Sequence, residues 1–184
     1  MASYIVIALP LAALVIGVLI YNGLVRGRTM VGEGWSGIDA QLKRRADLIP
    51  NLVETVKGYA AHEKSTLDEL VRLRASVGSG GDMAQRAAGE QQITAALGKL
   101  IAIAEAYPDL KANQNFQNLS QQLGEIENEI QLSRRYYNGA VRNYNVSVGQ
   151  FPGNIVAGMF AFKPADFFQL DNEGDRAVPK VSFS

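Results

Sequence analysis

No charged side chain occurs between Met1 and Val25, and the first to appear is Arg26. An uncharged run of that length needs either a bilayer or the middle of a large core. As a helix, Tyr4 to Val25 (YIVIALPLAALVIGVLIYNGLV) would reach ~33 Å, matching a hydrocarbon core of ~30 Å. Tyr4 and Tyr21 bracket the run as an interfacial aromatic pair. Pro10 stands near its start, where a missing N–H costs least. A cleaved signal peptide would carry a basic segment ahead of a shorter apolar core, and no Lys or Arg precedes this run. The expectation is an uncleaved, single-pass anchor in the cell (inner) membrane. Arg26 and Arg28 follow the span, so the positive-inside bias places the N-terminus outside and the body in the cytoplasm. Ala13 with Gly17, and Gly23 with Gly27, have the small-xxx-small spacing that pairs spans.

The rest of the 184-residue chain is a different material. All 18 basic and 18 acidic side chains lie in it, so the formal charge is zero. That balance argues against a nucleic-acid partner, which calls for a strongly basic surface. Lys43-Arg44-Arg45 does not alter this, being short and interleaved with Asp39 and Asp47. The absence of Cys removes disulfides, thiol catalysis and cysteine-ligated metal sites.

Beyond Gly34 the apolar residues recur in threes and fours: Trp35, Ile38, Leu42, Ile49, Leu52, Val56, Tyr59, Leu67 and Leu70. That is one face of a helix, close to a heptad seam, interrupted by Arg45 and Glu63. The spacing predicts a first helix from Trp35 to Val77. Pro50 cannot donate to the carbonyl of Ala46, so a kink or restart is expected there. The Gly78–Asp82 run GSGGD ends the helix, and Asp82 caps the next. A second helix, Met83 to Ala106, has Ile93, Leu97, Leu100, Ile101 and Ala104 on its apolar face, and Tyr107-Pro108-Asp109 stops it. A third begins between Asp109 and Asn115 and runs to about Gly149. Its stripe is Phe116, Leu119, Leu123, Ile126, Ile130, Tyr137, Val141, Tyr144 and Val148. Phe151-Pro152-Gly153 breaks it. The segment that follows, with Phe160, Phe162, Phe167, Phe168 and Leu170, is expected to close the bundle as a fourth helix; the sharper reading is a docking element for a subunit or the membrane surface. No strand alternation competes with the helical period.

Length then sets shape. A helix from Trp35 to Val77 would be ~64 Å long, whereas a compact globule of this body would be ~39 Å across. The helices must therefore lie side by side. The expected architecture is all-α: an N-terminal single transmembrane helix plus an elongated antiparallel three-to-four-helix bundle. Residues 1–28 would be the anchor and juxtamembrane segment, 29–170 the bundle and 171–184 a flexible tail. The shorter second helix leaves part of its neighbours uncovered, and Trp35, Ile38 and Leu42, at the membrane end, are the apolar residues expected to be left over.

These residues resemble the LemA family of bacterial membrane-anchored helical proteins. The likeness lies in Trp35, Ile38-Asp39, Gln41-Leu42-Lys43-Arg44-Arg45, Asp47 to Val53, Gly58-Tyr59 and His62-Glu63. It continues through Tyr107 to Asn113, then Glu127-Asn128, Ile130, Arg134, Tyr137-Asn138, Val141 and Tyr144-Asn145. Phe151-Pro152, Asn154, Phe160 with Phe162, and Phe167 with Phe168 complete it. The resemblance implies a single N-terminal span, drawn with its N-terminus outside, carrying an antiparallel four-helix-type bundle. It implies no enzymatic activity and no cofactor, and associations with membrane protease systems or envelope organisation.

The chemistry-bearing residues give little to an enzyme. His62 is the only His, lies between stripe positions and has no evident partner. Glu125, Glu127 and Glu129 are two apart and point to different faces. The Gly78–Gly81 run lacks the Gly-Lys-Ser/Thr ending of a phosphate loop. Glu127 and Arg134 share a face, so a charged network beside Tyr137 or with Arg44 or Arg45 is expected. Asn128, Asn138 and Asn145 are poor helix formers placed in the best helix, which implies specific hydrogen bonds within the bundle or to a partner. The leading expectation is a non-enzymatic membrane scaffold that forms homo-oligomers. The alternative is an adaptor for another membrane protein, such as a membrane protease or signalling component, read by the Asn-bearing face.

Overall fold

The computed structural model describes residues 2–60, 62–77 and 83–168. The elements are α1 (Ala2–Lys57), α2 (Lys64–Val77), α3 (Met83–Glu105), α4 (Pro108–Ala112), α5 (Gln114–Gly149) and α6 (Gly153–Met159). Among the described residues there is no strand. The GSGGD turn, Gln169, Leu170, the 171–184 tail and the side chain of Tyr4 lie outside the described residues.

The apolar N-terminal run and the first body helix are one element. α1 contains both Pro10 and Pro50 and continues through each, and its N-terminal part is long and apolar enough to be a candidate membrane span. Of the kink or restart expected at Pro50, the restart does not occur. The carbonyl that Pro50 leaves without its intrahelical donor, that of Ala46, accepts a hydrogen bond from Arg74 Nε at 2.8 Å. α2 thus replaces the missing donor. The first helix ends earlier than the stripe predicts, at Lys57. There the amides of Tyr59 and Ala60 close back on the Val56 carbonyl, and the chain turns over before α2 starts. Leu67 and Leu70 keep the spacing but pack from a new, antiparallel helix.

The register of α1 on α5 is set by contacts seven residues apart. A Cβ added at Gly27 would lie 3.1 Å from Tyr144 Cδ2, and one at Gly34 3.1 Å from Tyr137 Cα. Further along, Arg45 meets Glu127 and Tyr59 meets Asn113. Advancing along α1 means retreating equally along α5, so the two are antiparallel, and glycine permits their close approach at two heptad-spaced points. Gly27 is therefore used against Tyr144 of its own chain. α2 runs back toward the span, α3 away from it, and α5 returns, giving an up-down-up-down bundle.

Three core layers stack along this rod. The far layer joins Ile49, Leu52 and Val56 with Leu70, Leu97, Leu100 and Phe116. The middle layer joins Ile38 and Leu42 with Ala87, Ile130, Tyr137, Val141 and Phe168. The layer at the span joins Leu24 with Tyr144, Val148, Val156 and Phe162. Ile38 and Leu42 are consequently not left over. They are fully enclosed, because α3 starts at their level and the C-terminal segment lies across α5.

Candidate functional site

Two charged residues that interrupt apolar stripes meet between α1 and α3. Arg45 is 2% exposed. Its Nη1 donates to Glu127 Oε1 at 2.6 Å and to Thr94 Oγ1 at 2.8 Å. Its Nη2 donates to the Glu90 carboxylate and to the Glu90 carbonyl, the latter at 3.2 Å. Burial pushes the Glu90 carboxyl above the ordinary carboxylate value, against the opposing pull of Arg45. One turn nearer the span, Arg86 pairs with Asp39 and lies over Trp35, with Cζ 5.2 Å from the ring centroid. The expected network of Glu127 with Arg45 is present. Arg134 instead stacks on Phe168, with Cζ 5.4 Å from that ring. Glu90 was not anticipated, yet it falls on the Ala87, Ile93, Leu97 stripe of α3, and a lone carboxylate in such a stripe is a legible sign of a buried partner. All four Arg45 contacts are internal, so the cluster fixes register, and a cavity of about 290 Å³ lined by Asp39, Arg74, Arg86 and Glu90 opens beside it.

The Asn residues divide. Asn138 Oδ1 accepts from the Phe168 amide at 2.9 Å, and its Nδ2 donates to the Phe168 carbonyl at 3.2 Å. Asn145 makes the same pair with Ala165, both at 2.8 Å. Tyr137 and Tyr144 hydroxyls donate to the carbonyls of Asp166 and Lys163. One heptad of helix rises ~10.5 Å and three extended residues span ~10 Å, so the two repeats match. The segment 162–168 is therefore an extended strap running antiparallel to α5, and not a fourth bundle helix. Pro164 and the Asn side chains account for this: the first resists helix, and the second supply the bonds that a helix would have made. Phe162 and Phe168 are buried beneath it, Phe160 and Phe167 are exposed, and Trp35 is half-buried between Tyr137 and Phe168.

Asn128, in contrast, is exposed and begins an outward seam on α5. Asn128, Leu132, Tyr136, Gly139, Asn143 and Val146 follow one another in steps of three and four, with no charge among them. Leu132, Tyr136 and Val146 are each about half exposed. At 100° per residue, Glu129 borders one edge of this seam and Arg135 and Arg142 the other. Its length is ~27 Å. His62 is exposed, and among the described residues no three His, Cys, Asp or Glu side chains converge as metal ligands.

The sequence pattern of the LemA family matches residues 34–183. Magnetosome protein MamQ 2 of Paramagnetospirillum magneticum is 28% identical over 169 residues, covering 78% of this chain and 62% of its own length. Magnetosome protein MamQ of Magnetospirillum gryphiswaldense is 24% identical over 184 residues, covering 86% and 68%. Protein LemA of Metamycoplasma hominis is 28% identical over 137 residues, covering 74% and 63%. The chain thus spans about 62% of the length of the first of these relatives.

Proposed function

The chain belongs to the LemA family, and on that premise we propose that it is a non-enzymatic, membrane-anchored scaffold whose bodies self-associate along α5. The bundle projects into the cytoplasm from a single span. The observation that carries this reading is the outward seam from Asn128 to Val146. Apolar positions at heptad-like spacing on the outward side of a helix are the feature of a surface that pairs with another helix. Parallel copies anchored in one bilayer bring equivalent seams face to face. A two-fold axis along the rods then sets the Glu129 edge of one copy against the Arg135–Arg142 edge of the other, which is electrostatically favourable. Confinement by the anchor raises the effective concentration of one seam for another, so a modest contact suffices.

Because the chain lacks Cys, a single Val146→Cys substitution tests the reading in native membranes. Mild oxidation should give a disulfide-linked species at twice the chain mass, and Val71→Cys on α2 should give none. No Val146 product would contradict self-association along this seam. A product joined to a different protein would favour the adaptor reading.

A further inference from the structure

α6 and its flanks leave an unusual amount of apolar surface bare. Phe151 is 78% exposed, Met159 75%, Phe160 57% and Ile155 54%. They belong to a second uncharged run: from Asn143 to Phe162 there is no Asp, Glu, Lys or Arg, and Arg142 and Lys163 bound it. The fold sets this run beside the first. The Tyr21 ring meets the Phe160 ring edge-on at 4.8 Å between centroids, and Leu24 is buried with Val156 and Ala157. Charge returns at about one level on both elements: Arg28, two residues past Arg26, lies over Phe162, with Cζ 5.3 Å from the ring, and Lys163 is the next residue. Between α1 and α6 an apolar groove of about 460 Å³ is lined by Leu14, Gly17, Tyr21, Val156, Met159 and Phe160. Leu14 lies ~16 Å along the helix before Val25, so this groove reaches well inside the span.

We propose that α6 is a membrane wedge. Phe151, Ile155, Met159 and Phe160 enter the acyl-chain region of the leaflet from which α1 emerges, and lipid tails fill the groove. The inference rests on the anchor reading above. The occupant follows from position: these side chains are level with, and continuous with, the part of α1 whose bare Leu14, Val18 and Tyr21 face lipid if the span crosses a bilayer. Insertion is cheap for the backbone. The amides of Asn154, Ile155, Phe160 and Phe162 are satisfied by carbonyls of the same segment, which hydrocarbon demands. Removing the exposed apolar side chains from water supplies the gain.

The test uses the full chain in phosphatidylcholine–phosphatidylglycerol vesicles, with one nitroxide per sample at Ile155→Cys or Met159→Cys. Ile16→Cys in the span and Val71→Cys on the body are the references. All four positions are exposed, so labelling leaves the core intact. Collision with oxygen, which concentrates in hydrocarbon, should exceed collision with a water-soluble nickel chelate at 155 and 159, as at 16. The ratio should invert at 71. Nickel-dominated collision at 155 and 159, with 16 still oxygen-dominated, would overturn the wedge and leave the anchor standing. Shielding of 155 and 159 from both reagents would also overturn it, since protein would then cover α6. Nickel-dominated collision at 16 would remove the anchor reading and the wedge with it.

Discussion

Arg45 shows how one side chain can fix a helical register. Its guanidinium is out of water and joins α1 to α3 and α5 through Glu90, Thr94 and Glu127. Truncating one member of a buried pair leaves the other uncompensated, so Arg45→Met should cost about 3–5 kcal/mol in denaturant unfolding. Unchanged stability would show that the cluster is hydrated. Glu90 gives the pH signature. Its folded pKa is raised above the ordinary 4.5 by burial, so the folded chain holds the proton more tightly than the unfolded chain. The sign follows: the Glu90 contribution to stability is fully present below its ordinary 4.5 and is lost as pH rises through the raised folded value. Glu90→Gln should flatten that part of the stability profile while other parts persist, and parallel profiles would refute the assignment. This cluster was half legible in the sequence. Arg45 stood out in its stripe, whereas Glu90 needed the facing stripe of α3 to be aligned with it. Asn138 and Asn145 stood out as poor helix formers, but their partners are backbone groups of the strap, which no side-chain pattern reveals.

The strap is the element whose form the sequence hides most. Its apolar residues suit a closing helix, and only the heptad match with α5 makes the extended form better. Asn138→Ala or Asn145→Ala removes two hydrogen bonds, worth about 1–3 kcal/mol together. The amide of Phe168 or Ala165, respectively, should then exchange with solvent faster, by about tenfold per 1.4 kcal/mol. Unaltered exchange would mean that burial of Phe162 and Phe168 holds the strap without the Asn residues. The same logic explains the first helix. The spacing of threes and fours carried on from Trp35 to Leu70, past Arg45 and Glu63, and gave no sign of the turn after Lys57, since a chain that folds back can keep its stripe facing the core. Pro50 marked a restart that does not occur, and Arg74 of α2 bonds to the Ala46 carbonyl that the proline leaves open. The clear period of α5, the longest body helix, made its existence and its end at Gly149 plain, while its start was open between Asp109 and Asn115 and lies at Gln114, after the separate turn of α4.

At the scale of the whole molecule, one continuous α1 carries the apolar run directly into the bundle. Motion of the body relative to the anchor is limited by that continuity and by the packing of α6 on Leu24. If the apolar run of α1 crosses a bilayer, such a rod presents its outer α5 seam at one height relative to the membrane in every copy. That shared height makes lateral self-association geometrically cheap, and it is the claim on which the proposed function rests. Counting photobleaching steps of the singly labelled full chain, at sparse density in a supported bilayer, tests it most directly. The account predicts multi-step traces that collapse to single steps when Leu132→Arg and Val146→Arg are introduced together. Single-step traces from the unaltered chain would contradict it.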